Sequence, residues 1–134
     1  MNVQWTGLEE YLDELRAFPA RVVADADTIA GHAADAAAVE LRAAYSYKTG
    51  NLRAGVRVRK LYERGAVHYE VMNRAPHALL YDVGTQARHT AFGVNRGRMP
   101  AANVFTRITN AHRRRMHDAV TQMLVSHGAK VRGA

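Results

Sequence analysis

The sequence predicts an α+β domain: long N-terminal helices and a C-terminal helix packed on a small antiparallel sheet, with a long extended loop before the last helix. Three observations predict it. Apolar residues recur at helical spacing from Pro19 to Tyr45 and again from Val104 to His127. Between these stretches the chain alternates and then turns back, over Leu52–Leu61 and Ala66–Met72. From Gly84 to Asn103 neither period holds. The 134 residues suit one domain, with a core at about 7–127, the long loop at 84–103 and a loose tail at 128–134.

Thr6 is placed to cap a first helix, with Glu9 three residues on, as in a capping box. Leu8, Tyr11, Leu12, Leu15 and Phe18 give that helix an apolar side. Pro19 ends or kinks it, or opens the next helix. The second helix, Pro19 to Tyr45, is alanine-rich, and alanine is the best helix former. Its narrow stripe of Val22 or Val23, Ala26, Ile29 or Ala30, Ala33, Ala36 or Ala37, Leu41 and Ala44 implies close packing on a sheet or on a neighbour's helix.

Ser46–Asn51 is rich in turn formers. In the strand Leu52–Leu61, Val56 and Val58 face one way, Arg57 and Arg59 the other. Tyr62–Gly65 suits a hairpin loop, and Ala66–Met72 returns with Val67, Tyr69 and Val71 inward, His68 and Glu70 outward. Ala75–Val83 fits a short helix or a third strand; Pro76, suited to a first helical turn, favours the helix. The segment 84–103 holds Gly84, Gly93 and Gly97 and the arginines Arg88, Arg96 and Arg98. Unstructured loops beyond about 12–15 residues are uncommon in compact domains and usually serve a function. In the last helix Val104, Ile108, Ala111, Met116, Val120 and Met123 or Leu124 form the apolar side, flanked by Arg107, Arg113, Arg114, Arg115 and Asp118.

Composition excludes several classes. The chain has no cysteine, so it has no disulfide framework, thiolate metal site or cysteine nucleophile, which fits synthesis in a reducing compartment. No apolar run approaches the ~20 residues that span a bilayer. Met1–Trp5 lacks the basic and apolar regions of a signal peptide. The expectation is a chain made in a cytoplasm, without a membrane partner.

Catalytic and metal signatures are equally sparse. His112 and His117 are five apart and so do not share a helix face, and His68, His77 and His89 lie on different elements. Ser46 and Ser126 lack a nucleophile-elbow context. Gly93–Gly97 lacks both the preceding strand and the Gly-Lys-Ser/Thr of a phosphate-binding loop. No catalytic residue, metal or cofactor is expected.

Charge is divided along the chain. The net charge is +7, but residues 1–45 carry eight acids against three arginines, and residues 46–134 carry four acids against sixteen bases. Such asymmetry points either to nucleic acid or to contact between the acidic part of one copy and the basic part of another. For nucleic acid, Arg107, Arg113, Arg114 and Arg115 on a helix and Arg96 and Arg98 in the loop could track phosphates. Against it, the aromatics are not interleaved with the basic run to form a stacking platform.

Three motifs then stand in order. Thr49-Gly50-Asn51-Leu52-Arg53 follows the alanine-rich helix; Tyr81-Asp82-Val83-Gly84-Thr85 follows the hairpin; Met99-Pro100, continuing to Phe105, leads into the last helix. This succession resembles the siphophage tail-component family of tail-completion or head–tail joining (neck) proteins, over roughly residues 7–125. Thr49, Gly50, Leu52 and Arg53 match its TGxLR-like turn, and Tyr81, Asp82, Gly84 and Thr85 match its tyrosine–acid–Gly-Thr block. The family more often has glutamate where Asp82 stands, and often proline where Val104 stands. The resemblance implies a non-catalytic virion component, a homo-oligomeric ring, commonly sixfold, lying between the tail terminator or tube and the head connector or stopper. Tail termination, head closure, dedicated DNA binding and a regulatory role with another partner are the alternative readings.

Elementary physics supplies a reason for assembly. A sheet of two or three short strands leaves edges that template another chain. In a cyclic, heterologous assembly unlike patches meet and the ring closes. The loop 84–103, with Arg88, Arg96 and Arg98, is then expected to be an arm, mobile alone and ordered by a neighbour. Arg53 is expected to pair with Asp82. The Thr49-Gly50 turn is read equally as a plain helix-to-strand turn or as an interface, and Gly84-Thr85 as a structural turn.

Overall fold

The computed structural model describes residues 20–46, 48, 50–63 and 66–129. Its elements are α1 (Ala20–Ala44), α2 (Asn51–Gly55), β1 (Val56–Glu63), β2 (Ala66–Asn73), α3 (Ala78–Val83) and α4 (Val104–Ser126). This is the predicted α+β build, with one antiparallel sheet of two strands among the described residues. The helix expected over Leu8–Phe18, Thr49 and residues 64–65 of the hairpin turn lie outside the described residues.

α1 and α4 form an antiparallel pair. Two histidine–carboxylate contacts mark its length: Glu40 with His112 at 2.6 Å and Asp25 with His127 at 3.3 Å. Both pairs are separated by the same number of residues on each helix, so the helices stay in step over about 22 Å. Ala34, Ala37 and Ala38 lie buried on α1. Their small side chains let neighbouring elements come close. The core gathers around Ala38, Leu41, Tyr45, Val56, Val104 and Ile108, with Leu52, Val58, Val71, Tyr81 and Phe105 packed against it. Each fully buried aliphatic there contributes about 1.5–3 kcal/mol.

The hairpin lays its inner face on α1. Its register pairs Val56 with Asn73, Val58 with Val71, Lys60 with Tyr69 and Tyr62 with Val67. The Tyr69 ring lies so close to Gly31 that a Cβ there would stand 3.1 Å from the tyrosine oxygen. That contact accounts for a glycine inside a helix, where it costs about 1 kcal/mol against alanine. Tyr69 Oη donates to Asp27 Oδ1 at 2.8 Å, and Lys60 Nζ donates to Asp27 Oδ2 at 2.7 Å. The Lys60 and Tyr69 bonds hold the Asp27 carboxyl below its ordinary range, and Asp27 in turn raises the Lys60 ammonium.

Three expectations about this region are corrected. The strand begins at Val56 rather than Leu52, because residues 51–55 close a helical turn behind Gly50, whose φ is 75°. Ala54 N donates to Gly50 O at 2.9 Å to complete that turn. The strands also run further than expected: Tyr62 and Glu63 pair with Val67 and Ala66, leaving only residues 64–65 to connect them. Val67, expected inward, is exposed together with Tyr62, since beyond the Lys60–Tyr69 rung no described element covers the inner face. Ala75–Val83 resolves as the short helix α3, preceded by a turn in which Ala78 N donates to Ala75 O.

Candidate assembly interface

The residues singled out by the motifs fall into two places. One group builds the base of the 84–103 segment. Tyr45, 1% exposed, is the joint. Arg53 Nε donates to Tyr45 O at 2.8 Å, and the Tyr81 ring meets the Tyr45 ring edge-on at 5.8 Å. The Gly50–Arg53 turn and the Tyr81–Thr85 block, 28 residues apart from Arg53 to Tyr81, thus converge on one residue, the first on its backbone carbonyl and the second on its ring. Burial pushes the Tyr45 phenol up while the nearby Asn73 side chain pulls the other way, and the hydroxyl meets no partner in hydrogen-bond geometry among the described residues.

Asp82 is 7% exposed and does the work of a helix cap from a distance. Phe105 N donates to Asp82 Oδ1 at 2.7 Å, while Thr106 N at 3.4 Å and Thr106 Oγ1 at 3.0 Å donate to Oδ2. The residue in the ordinary capping position, Asn103, is left-handed at φ 50° and makes no side-chain cap. A carboxylate at a helix N-terminus satisfies orphan amides and favourably meets the helix dipole. Arg53 and Asp82, expected to pair, therefore have separate tasks: one holds the end of α1, the other the start of α4. Backbone bonds from Ala102 N to Tyr81 O and from Asn103 N to Asp82 O close the same junction.

Gly84 and Thr85 finish the base. Gly84 has φ 80°, and a Cβ there would stand 2.7 Å from both Ala101 N and Met99 O. Thr85 N donates to Met99 O at 2.9 Å, and Met99 N donates to Thr85 Oγ1 at 3.1 Å. These contacts support the structural reading of the Gly-Thr pair. Pro100 follows, exposed, on the way to α4.

Beyond this base the loop is not structureless, as the missing period suggests. It folds back on itself as a two-legged arm. Arg88 N donates to Gly97 O, Arg96 N to Arg88 O and Thr90 N to Val94 O, around a single bridge between His89 and Asn95. Thr90–Val94 form the tip, closed by Gly93 N donating to Thr90 O at 2.9 Å, with φ 77° at Gly93. Phe92 at this tip is 95% exposed, and Val94 beside it is exposed too. Arg88, Arg96 and Arg98 project from the legs and form no ion pair among the described residues. Sequence reasoning passed over Phe92, although a lone aromatic between Ala91 and Gly93 in a polar, arginine-bearing stretch is a visible signal.

The remaining surfaces differ in chemistry. Leu79, 72% exposed, Leu80 and Val83 leave α3 with an apolar outside. Next to it, a shallow cleft of about 500 Å³ is lined by Val83, Thr85, Ala87, Arg98, Met99 and Ala101. On α4, Asn103, Thr106, Arg107, Asn110, Ala111 and Arg114 line a groove of about 370 Å³. The outward face of α1 carries Asp35 and Val39, the latter 64% exposed. Among the described residues no three His, Asp or Glu side chains gather as a metal site, and no helix is long and apolar enough to cross a membrane. No family model, curated protein or solved structure matches this chain. The resemblance to the tail-component family therefore stands on its three motifs.

Proposed function

We propose that the chain is a non-enzymatic structural subunit of a tailed bacteriophage, one protomer of a tail-completion or neck ring that joins the tail to the head connector. The observation that carries this reading is the arm. A solitary globular protein gains nothing by fixing a folded projection at its base and leaving an aromatic at the tip in water. A subunit that must grip a neighbour gains a preformed handle, because ordering costs are met before contact. The two-stranded sheet, with both outer edges unpaired among the described residues, adds surfaces that a neighbouring chain can complete. The motifs that carry the family resemblance build the arm's base, so they suit a role in positioning the arm rather than in chemistry.

Native mass spectrometry of the purified chain, alone and mixed with tail-tube, terminator and connector proteins, tests the reading. A closed oligomer, expected as a hexamer, that co-assembles with these parts supports it. A protein that stays monomeric and ignores every virion component sinks it. Tail terminator and head-closure roles share the same ring logic, and the position of density in a map of the intact neck separates them.

The α4 groove favours a second reading, a small basic DNA-binding protein. Arg107 and Arg114 are seven residues apart, so they share one helix face with Asn110 between them. Such a row can meet a phosphate backbone without reading sequence. A salt-dependent shift of naked DNA by the isolated chain, removed by Arg107→Ala with Arg114→Ala, would favour this reading over the ring.

A further inference from the structure

We infer that the arm of one copy docks on the outward face of α1 of the next copy, with Phe92 against Val39 and the arm's arginines around Asp35. The inference rests on the ring reading and names its contact.

The arm's own composition sets what it can meet. Residues 84–103 contain three arginines and no acid, and the tip adds Phe92 and Val94. Its receptor must therefore be acidic and apolar together. On the outer face of the hairpin Arg57, Arg59 and His68 stand with Glu70, which Arg59 meets at 3.8 Å, and Glu63 points to the opposite face from exposed Tyr62 and Val67, so acid and apolar surface do not coincide there; α4 presents Arg107 and Arg113–Arg115, which repel the arm. Among the described surfaces the outward face of α1 is the exception, and Arg42, seven residues on from Asp35, is turned to Val56 O at 3.1 Å. Three of that helix's acids are already engaged: Asp25 by His127, Asp27 by Lys60 and Tyr69, and Glu40 by His112. Asp35 is exposed and forms no ion pair among the described residues. Asp118 on α4 follows Arg114 and Arg115 by one turn, so its field is already met.

The geometry of the two surfaces also matches. Asp35 and Val39 are one helical turn apart on the same face, about 6 Å along the axis. Exposed Ala36 and Ala43 beside them leave room for an aromatic ring to lie close to the helix. Phe92 and Arg96 are four residues apart on the arm, and an arginine side chain spans the difference. The arm reaches about 20 Å from Thr85 to its tip at strand-like rise. Because Phe92 is 95% exposed, it does not rest on its own α1. A contact in which arm and α1 face are different patches is heterologous, the type that closes rings.

The chain has no cysteine, so paired cysteines report the contact cleanly. Ala43→Cys with Ala91→Cys, which keeps Val39 and Phe92, is expected to give a ladder of covalent oligomers on oxidation with oxidised glutathione. His68→Cys with Ala91→Cys, placing the partner on the hairpin's outer face, is expected to give none. Asp35→Arg is expected to weaken self-association by about tenfold or more, and adding Arg96→Asp to restore it. Circular dichroism checks that each surface variant keeps its helices. A wild-type ring whose cysteine variants yield no Ala43–Ala91 crosslink, or yield the His68–Ala91 crosslink equally, overturns this docking and leaves the ring standing. A wild-type chain that is monomeric with all its virion partners overturns both. DNA binding that depends on Phe92 without any crosslink ladder also overturns the docking.

Discussion

At the base of the arm, Tyr81, Asp82 and Thr85 each bond to a residue on the far side of the loop, at Ala102, Phe105 and Met99. From Gln86 to Arg98 the bonds run only between the arm's own two legs, and the side chains face water. The difference separates two jobs within one short stretch. The base is built from buried side chains and backbone ties across the loop, with the Tyr45 hydroxyl left without a bond among the described residues, so altering it should cost stability. The outer arm is built from unpartnered groups, so altering it should cost association and nothing else. The motif residues that signal the family resemblance belong to the first class, and the residue with the clearest claim to recognise a partner, Phe92, belongs to the second.

The strongest way to break this division is at its centre. Tyr45→Ala removes the buried ring on which Tyr81 packs and should destabilise the fold by about 3–5 kcal/mol in urea denaturation. Asp82→Ala strands two amides at the start of α4 and should cost about 2–3 kcal/mol, with α4 losing amide-exchange protection first. Gly84→Ala brings a Cβ against Met99 O at positive φ and should cost about 1–3 kcal/mol, again read from the urea midpoint.

A tie far from the arm gives a milder effect. Asp27 titrates below its ordinary 3.8 because Lys60 and Tyr69 donate to its charged form. A carboxyl depressed in the folded state adds stability that is complete above its unfolded value and fades as pH falls through the folded one. Asp27→Asn should therefore flatten the loss of stability on acidification below about pH 5, with assembly at neutral pH unaffected. The smallest expected change in stability is that of Phe92→Ser, within about 0.5 kcal/mol of wild type by thermal melting. A larger shift would mean that the tip belongs to the body, and the contrast between base and arm would dissolve.

How much of this was readable beforehand follows from the range of each interaction. α1 and α4 are legible as helices because burial on one side repeats every three or four residues, but the stripe on α1 lies slightly off the expected one: Ala34 and Ala38 are buried with Val22, Ala37 and Leu41, while Val23, Ala36 and Ala44 are exposed. The hairpin is legible from Val56, Val58, Tyr69 and Val71, but its ends are not, since Gly50 starts a helical turn where alternation suggested a strand. The arm hides because backbone bonds hold it and its side chains face solvent on both sides, which leaves no period to detect. Asp82 stands out in the sequence as an acid before Gly-Thr, yet its partners lie more than twenty residues on, at Phe105 and Thr106. Capping rules look at the adjacent residue, and that residue is Asn103, which does not cap.

The junction that ties Asp82 to the first turn of α4 spans the two ends of the arm without passing through it. The arm is therefore an insert whose length and sequence the body does not register. A cut after Arg88 or Arg96 would sever the chain and leave both pieces clasped, and a longer or shorter projection could be grafted onto the same stem. One scaffold could in this way serve neighbours of different size, with the change confined to a segment that folding does not depend on.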